Sequence, residues 1–157
     1  LPILKELNVP ATIFVTSGFL ESNKPFFWDA NTDPQDQGRP LTKDELKELA
    51  KCNLVEIGAH TVTHPKLSSL PNDYQTIKES KDQLEQLLGQ HIISFAYPFG
   101  DKESFNTGTM EIVKNSSYNY ACSNIHERVT NKSNLYSLPR FIARNWNTEQ
   151  FQKEFEK

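Results

Sequence analysis

Short apolar runs, each bounded by proline, glycine or polar residues, recur along the chain and predict the strands of a sheet. The first, residues 11–16, combines β-branched and apolar side chains and lies between Pro10 and Gly18, which is typical of a buried strand. Four further runs have the same character, at residues 54–59, 91–97, 118–123 and 138–144. The pattern therefore predicts five strands, apolar on both faces as buried strands are.

Segments with a helical spacing of apolar residues lie between these runs. Residues 42–52 open with Thr42 and place Glu45 three residues later, a capping box that predicts the start of a helix. Residues 73–89 carry spaced apolar side chains among many charges and end in Gly89, which predicts an amphipathic helix. Two more helices are predicted, at residues 103–115 and 148–156.

The alternation of strands and helices predicts an α/β domain with a parallel sheet and crossover helices. The 157 residues are a one-domain length. The pattern by itself fits a closed barrel and an open doubly wound sheet. The sequence has neither a Gly-x-Gly-x-x-Gly motif nor a P-loop, so nucleotide binding has no support.

Composition excludes several classes of protein. Aromatic residues make up 11% of the chain, enough to build a core, which excludes a disordered chain. No apolar run approaches the ~20 residues that cross a bilayer, so no membrane span is predicted. The net charge of -3 includes no basic excess, which argues against nucleic acid as a partner.

Two histidines follow the second predicted strand, in the segment His60-Thr-Val-Thr-His64. In parallel α/β folds, ligands and catalytic groups gather at the carboxyl ends of the strands. Two imidazoles four residues apart can converge on a metal ion, and zinc in catalytic sites commonly takes three protein ligands and a water. The alternative is a pair of surface histidines in a loop. The segment is not a zincin motif, because Thr61 stands where that motif has glutamate.

Aromatic residues suggest where a substrate could lie. Tyr97 and Pro98 belong to the segment 95–101, which contains a Pro-Gly turn at the end of the third predicted strand. Such a turn could form an apolar wall for a sugar ring or acyl group, with a backbone N–H facing an oxyanion, or could be packed structure only. Trp28, in the aromatic cluster at 25–29, is a second candidate for sugar contact, or an anchor for its loop.

Four segments together resemble the polysaccharide deacetylase (NodB-homology) family, carbohydrate esterase family four. The segments are residues 1–15, 55–65, 95–100 and 138–140, in the order that the family has them. The resemblance implies a distorted, incomplete (β/α) barrel that hydrolyses N-acetyl groups on a glycan. It also implies a metal, usually zinc, held by an aspartate and two histidines, which His60 and His64 match.

The resemblance assigns the oxyanion donor as well. Aligned on the prolines, the backbone N–H of Phe99 would stabilise the tetrahedral intermediate. Family members act on cell-surface or secreted glycans, so we expect an N-acetylated glycan as substrate and a cell-envelope or extracellular location.

The family's opening motif, Thr-Phe-Asp-Asp-Gly, is absent from this sequence, and no Asp-Asp pair occurs anywhere in it. In the family this motif carries the base and the metal-binding aspartate. We expect the motif and its strand to precede Leu1, so that residues 1–157 are an N-terminally truncated catalytic domain. As it stands, the chain should be impaired in catalysis and should bind zinc poorly.

Two further departures concern catalytic side chains. Many members have an arginine, where Ala96 stands, that orients the catalytic base. We expect Arg140 to replace it, since a guanidinium can bind a carboxylate bidentately; the alternative is a surface arginine. The family's late Leu-x-x-His motif, the general acid in many members, has no match, since no histidine follows His126.

The sequence thus predicts a metal-dependent hydrolase that removes N-acetyl groups from a polysaccharide or oligosaccharide. Two alternatives remain open. One is a catalytically inactive deacetylase-like module that binds a glycan or serves as a scaffold. The other is an amide or ester hydrolase of the same fold that acts on a different acylated substrate.

Overall fold

A computed structural model describes residues 1–22, 26, 33, 38–70 and 72–156. The strands of the described part are β1 Ala11–Val15, β2 Val55–Ala59, β3 Ser94–Ala96 and β4 Tyr120–Cys122. They form one parallel sheet in the order β1-β2-β3-β4. The α-helices are α1 Pro2–Leu7, α2 Lys43–Ala50, α3 Tyr74–Leu88, α4 Thr107–Asn115 and α5 Thr148–Glu156.

Each crossover between neighbouring strands contains a helix: α2 between β1 and β2, α3 between β2 and β3, and α4 between β3 and β4. Sequential parallel order is the topology of a (β/α) barrel, and the four described strands are fewer than the eight of a closed one. The α/β class and the incomplete barrel are confirmed.

Polar caps fix where the helices begin and end. The predicted capping box of α2 is present: Thr42 Oγ1 accepts from the Glu45 N–H at 3.1 Å, and the Glu45 carboxylate accepts from the Thr42 N–H at 2.9 Å. Gly89 ends α3 with a φ of 67°. None of the helices among the described residues has the length and apolar character to cross a membrane.

The prediction of a fifth strand at residues 138–144 is wrong. Leu138 pairs with β4 through an isolated bridge, donating to the Ala121 carbonyl at 2.8 Å. The next residue, Pro139, has no N–H to continue the ladder, and the chain leaves the sheet there. The third strand is also shorter than predicted, since only Ser94–Ala96 is strand within 91–97.

The two faces of the sheet differ in character. One face contributes alternate side chains of the strands to the main core, where they join side chains of α2, α3 and α4. The other face carries Thr12 and Phe14 of β1 beside a polar contact between three strands. There the Glu56 carboxylate accepts from Ser94 Oγ and from the Tyr120 hydroxyl, both at 2.6 Å. By strand alternation, this second face leads directly to His60 at the end of β2.

Candidate functional site

The carboxyl ends of the strands surround a cavity of about 430 Å³. This volume lies within the range of roughly 300–1,000 Å³ that is common for small-ligand sites. The residues that line the cavity come from all four strand ends: Phe14, His60, His64, Ala96, Tyr97, Phe99, Asn124 and Arg140. The predicted metal pair, oxyanion donor and arginine therefore lie together.

His60 is held by a hydrogen bond between neighbouring strand ends. Its Nδ1 lies 2.7 Å from the Ala96 carbonyl oxygen, and since a carbonyl can only accept, Nδ1 carries the hydrogen. The lone pair is then on Nε2, the nitrogen left for a metal. Burial lowers the pKa of His60 to about 4, so the ring is neutral at pH 7.

His64 approaches His60 because the connecting loop is held in an unusual backbone conformation. Thr61 has a φ of 66° and His64 a φ of 58°, and the Thr61 hydroxyl oxygen accepts from the His64 N–H at 3.0 Å. The two imidazole centroids lie 4.8 Å apart with an interplanar angle of 71°. Burial lowers the pKa of His64 as well, so both rings favour the neutral, metal-ligating form.

These two imidazoles fit a zinc ion as nitrogen ligands, but they do not complete a site. Zinc sites of the catalytic type use three protein ligands. No group of three or more histidine, cysteine, aspartate or glutamate side chains suited to a metal occurs within the part of the chain that the structure describes. The described residues therefore bring together two candidate ligands, His60 and His64.

The turn after β3 carries one aromatic side chain that packs in the core, Tyr97, and one that lies at the cavity, Phe99. The Tyr97 side chain is fully buried, stacks on Phe105 at 3.9 Å and donates its hydroxyl to the Tyr136 carbonyl at 2.7 Å. Pro98 is also fully buried. Both side chains are therefore packed in the core, although Tyr97 also borders the cavity, and sugar contact by either residue remains a prediction. Trp28 lies outside the described residues.

Phe99 stands at the centre of this turn with a φ of 63°. Its side chain is 47% exposed and contacts the His64 ring, with centroids 4.9 Å apart. Its carbonyl accepts from Asn124 Nδ2 at 2.6 Å, whereas its N–H has no acceptor among the described residues. The residue predicted to supply the oxyanion donor thus lies beside His64. Non-glycine residues with positive φ are costly and concentrate at functional sites.

Arg140 reaches the cavity from the segment beyond β4. Its Nε donates to the Ser123 carbonyl at 2.7 Å and its Nη2 to Asn124 Oδ1 at 2.8 Å. Its guanidinium carbon lies 5.5 Å from the centroid of the Phe14 ring. The hydrogen-bond partners that the structure describes for Arg140 are neutral oxygens, so its pairing with a carboxylate remains a prediction.

The sequence did not predict three groups that line the cavity or contact its residues: the Phe14 ring, the Ala96 carbonyl and Asn124. Asn124 comes directly after the apolar run at 118–123, so the strand-end rule that identified His60 would also have identified it. The backbone carbonyl and the apolar ring carry no comparable signal in the sequence.

The volume of a cavity does not by itself identify the candidate site. A cavity of about 630 Å³ lies at the opposite edge of the sheet, beside Pro10, Gln90 and His91, and neither His60 nor His64 lines it. A smaller cavity of about 290 Å³ does share the histidine pair. Its other lining residues are mostly apolar, with one charged side chain, Arg39, at its border.

The parallel (β/α) sheet, with a histidine pair and a proline turn at its carboxyl edge, agrees with the resemblance to polysaccharide deacetylases. The family model for polysaccharide deacetylase matches residues 1–121. The chain therefore belongs to this family, and the resemblance seen in the sequence is confirmed.

Individual relatives agree with this assignment. The chain is 27% identical over 151 residues to a poly-beta-1,6-N-acetyl-D-glucosamine N-deacetylase of Staphylococcus aureus, covering 90% of this chain and 48% of the relative. It thus spans about half the length of the curated relatives it matches.

Solved structures show the same fold. A Streptococcus pyogenes deacetylase, determined in complex with acetate, superposes with a TM-score of 0.79 at 28% identity, over 99% of this chain and 63% of that one. A polysaccharide deacetylase from Bacillus cereus superposes with a TM-score of 0.79 at 22% identity, over 98% and 45% of the two chains.

Proposed function

We propose that the protein is a metal-dependent hydrolase that removes N-acetyl groups from a polysaccharide containing N-acetylglucosamine. The observation that carries the proposal is the neutral pair of His60 and His64, with Nδ1 of His60 bonded to the Ala96 carbonyl at 2.7 Å. This arrangement leaves Nε2 of His60 for a divalent cation, for which zinc is the best fit to imidazole ligands.

A zinc ion held by these histidines would polarise the acetyl carbonyl and lower the pKa of a water molecule. The reaction breaks the amide C–N bond, adds water, and yields acetate and an amine. The Phe99 N–H donates a hydrogen bond to the acetyl oxygen as it becomes negatively charged. A donor placed for that charge is worth about a hundredfold or more in rate.

Arg140 is proposed to orient the catalytic base and keep it ionised. Its Nε and Nη2 are used by the Ser123 carbonyl and Asn124, while its Nη1 has no acceptor among the described residues. The remaining N–H groups are therefore available to a carboxylate. In the proposal this carboxylate is the catalytic base of the family, an aspartate, which takes the proton from water. A permanent positive charge beside that carboxylate keeps it ionised.

The relatives and the cavities support the proposed substrate class. The Staphylococcus aureus relative bears the name of an enzyme acting on poly-beta-1,6-N-acetyl-D-glucosamine, and we extend that class of polymer to this protein. Because members of the family act on cell-surface or secreted glycans, we propose that the activity occurs at the cell envelope or outside the cell. The apolar rings of Phe19 and Phe26, in the cavity that shares the histidine pair, offer faces on which sugar rings can stack.

The test is acetate release by the full-length protein from β-1,6-linked N-acetylglucosamine oligomers. We expect release that chelation abolishes and zinc restores, and that His60→Ala abolishes while His91→Ala does not, since His91 is exposed at the opposite edge of the sheet. Release indifferent to chelation would refute the metal mechanism.

Two other outcomes would identify the alternatives. Oligomer binding with no acetate release under any metal would favour an inactive glycan-binding module. Release from acetyl esters or another acylated substrate, but not from N-acetylated oligomers, would favour a different substrate on the same fold. Either result overturns the proposal.

A further inference from the structure

We propose that Asn124 is a positioning residue that holds the Phe99 N–H in the orientation needed for oxyanion binding. The inference rests on the proposed function, because it deepens the role given there to Phe99. Asn124 lies two residues after the end of β4, and its side chain and backbone both contact the turn at the end of β3.

The turn is tight and centred on Phe99. The Gly100 N–H donates to the Pro98 carbonyl at 2.7 Å, which closes a three-residue turn around a residue with a φ of 63°. A turn of this form with positive φ is the rarer and more strained γ-turn. Phenylalanine does not adopt this conformation without outside support.

Asn124 supplies that support through two hydrogen bonds. Its Nδ2 donates to the Phe99 carbonyl at 2.6 Å, and its backbone N–H donates to the Gly100 carbonyl at 2.8 Å. The contact is close, because a Cβ on Gly100 would lie 2.7 Å from the Asn124 nitrogen. Asn124, just after β4, therefore holds two successive carbonyls of the turn, those of Phe99 and Gly100, by hydrogen bonds.

These hydrogen bonds fix the direction of the Phe99 N–H. In a trans peptide the N–H is antiparallel to the preceding carbonyl, and the described residues contain no cis peptide bond. The Pro98 carbonyl is bound by the Gly100 N–H, so the Phe99 N–H points away from that bond. Fixing the next peptide through the Phe99 carbonyl then leaves neither peptide plane of the turn able to rotate.

The orientation of the Asn124 amide is itself set by Arg140. Arginine has only donors, so the atom 2.8 Å from its Nη2 must be Oδ1, and the amide nitrogen must then face the Phe99 carbonyl. Asn124 thus connects the arginine to the oxyanion turn. An aspartate would keep the contact with Arg140 but would set two acceptor oxygens against each other at Phe99.

The test compares Asn124→Asp and Asn124→Ala with Asn53→Asp, an exposed asparagine before β2. In the full-length enzyme we expect both Asn124 variants to lower kcat about 10- to 100-fold, somewhat less than loss of a whole oxyanion donor. KM for the oligomer and zinc stoichiometry should stay within twofold, and Asn53→Asp should match the wild type. A kcat within twofold of wild type in both Asn124 variants would overturn the inference while leaving the proposed function intact.

A crystal structure of each Asn124 variant gives a readout that does not depend on activity. We expect the φ of Phe99 to leave the left-handed region in Asn124→Asp and Asn124→Ala. If Phe99 keeps a φ near its present 63° in both, Asn124 does not hold the turn and the inference is wrong, even if the protein releases no acetate.

Discussion

The Nδ1 atom of His60 lies 2.7 Å from the carbonyl oxygen of Ala96, and this contact joins the ends of β2 and β3. It holds the ring in one tautomer while burial keeps it neutral. The contact therefore leaves Nε2 as the nitrogen available to the proposed metal ion.

Removal of this imidazole should abolish specific zinc binding. We expect His60→Ala in the full-length protein to lower zinc affinity by far more than the 10- to 100-fold typical of losing a supporting hydrogen bond. Isothermal titration with zinc measures the effect, and His91→Ala is the matched control. The 157-residue chain alone should bind zinc weakly, because its described residues bring together two ligands. Tight stoichiometric binding by that chain, dependent on His60, would contradict this.

Gly58 leaves the space that the Phe14 ring occupies. A Cβ at this position would lie 2.5 Å from Phe14 Cδ1 and 2.7 Å from Ser94 Oγ. Gly58→Ala should therefore lower the free energy of unfolding by about 1–3 kcal/mol, as overpacking does, and should displace the ring that lies under Arg140. Urea denaturation measures the loss. Gly38→Ala, with no atom within 4 Å of its Cβ, should change stability little.

The hydroxyl of Tyr120 connects β4 to β2 through the Glu56 carboxylate, at 2.6 Å. Tyr120→Phe should cost about 1–2 kcal/mol of unfolding free energy, because the ring stays and one hydrogen bond to a carboxylate is lost. Tyr74→Phe is the control, since Tyr74 is exposed. Equal stability of the two variants would show that the interstrand contact contributes nothing.

Acid should weaken the start of α2. The pKa of Glu45 is lowered to about 2, first by its hydrogen bond with Arg39 and then by the Thr42 N–H. Because the folded pKa lies below the ordinary value, this contribution is present above about pH 4.5 and is lost as the pH falls towards 2. Thermal unfolding at pH 5, 4 and 3 measures it.

Glu45→Gln should flatten this acid dependence, whereas Glu48→Gln, on the same helix, should follow the wild type. An unchanged slope in Glu45→Gln would show that the capping box does not contribute to the acid dependence. Since Arg39 lines a cavity at the histidine pair, the same carboxylate also positions part of that cavity's border.

Four strands and four helices could be predicted from the sequence, because each has a local pattern of apolar residues typical of its secondary structure. The fifth strand failed where Pro139 interrupts the ladder. The sequence also placed His60 just past the end of the second strand, where the structure has it. The sequence reasoning did not use the alternation along the strand, which puts Tyr97 on the same face as Phe95, whose ring lies in the core 5.4 Å away.

The part of the site that the sequence did not predict consists of long-range contacts. The Ala96 carbonyl and the Asn124 amide act across 36 and 25 residues of chain, on His60 and Phe99 respectively. No local pattern encodes such pairs. The positive φ of Phe99 is likewise imposed by its neighbours, since phenylalanine itself disfavours it.

The most direct test of the central claim is the position of zinc in crystals of the full-length protein, located by anomalous scattering at the zinc edge. We predict zinc at about 2.0–2.1 Å from Nε2 of His60 and from a ring nitrogen of His64, with the bond from His60 Nδ1 to Ala96 intact. Zinc bound elsewhere, with both imidazoles ordered and unligated, would contradict the account.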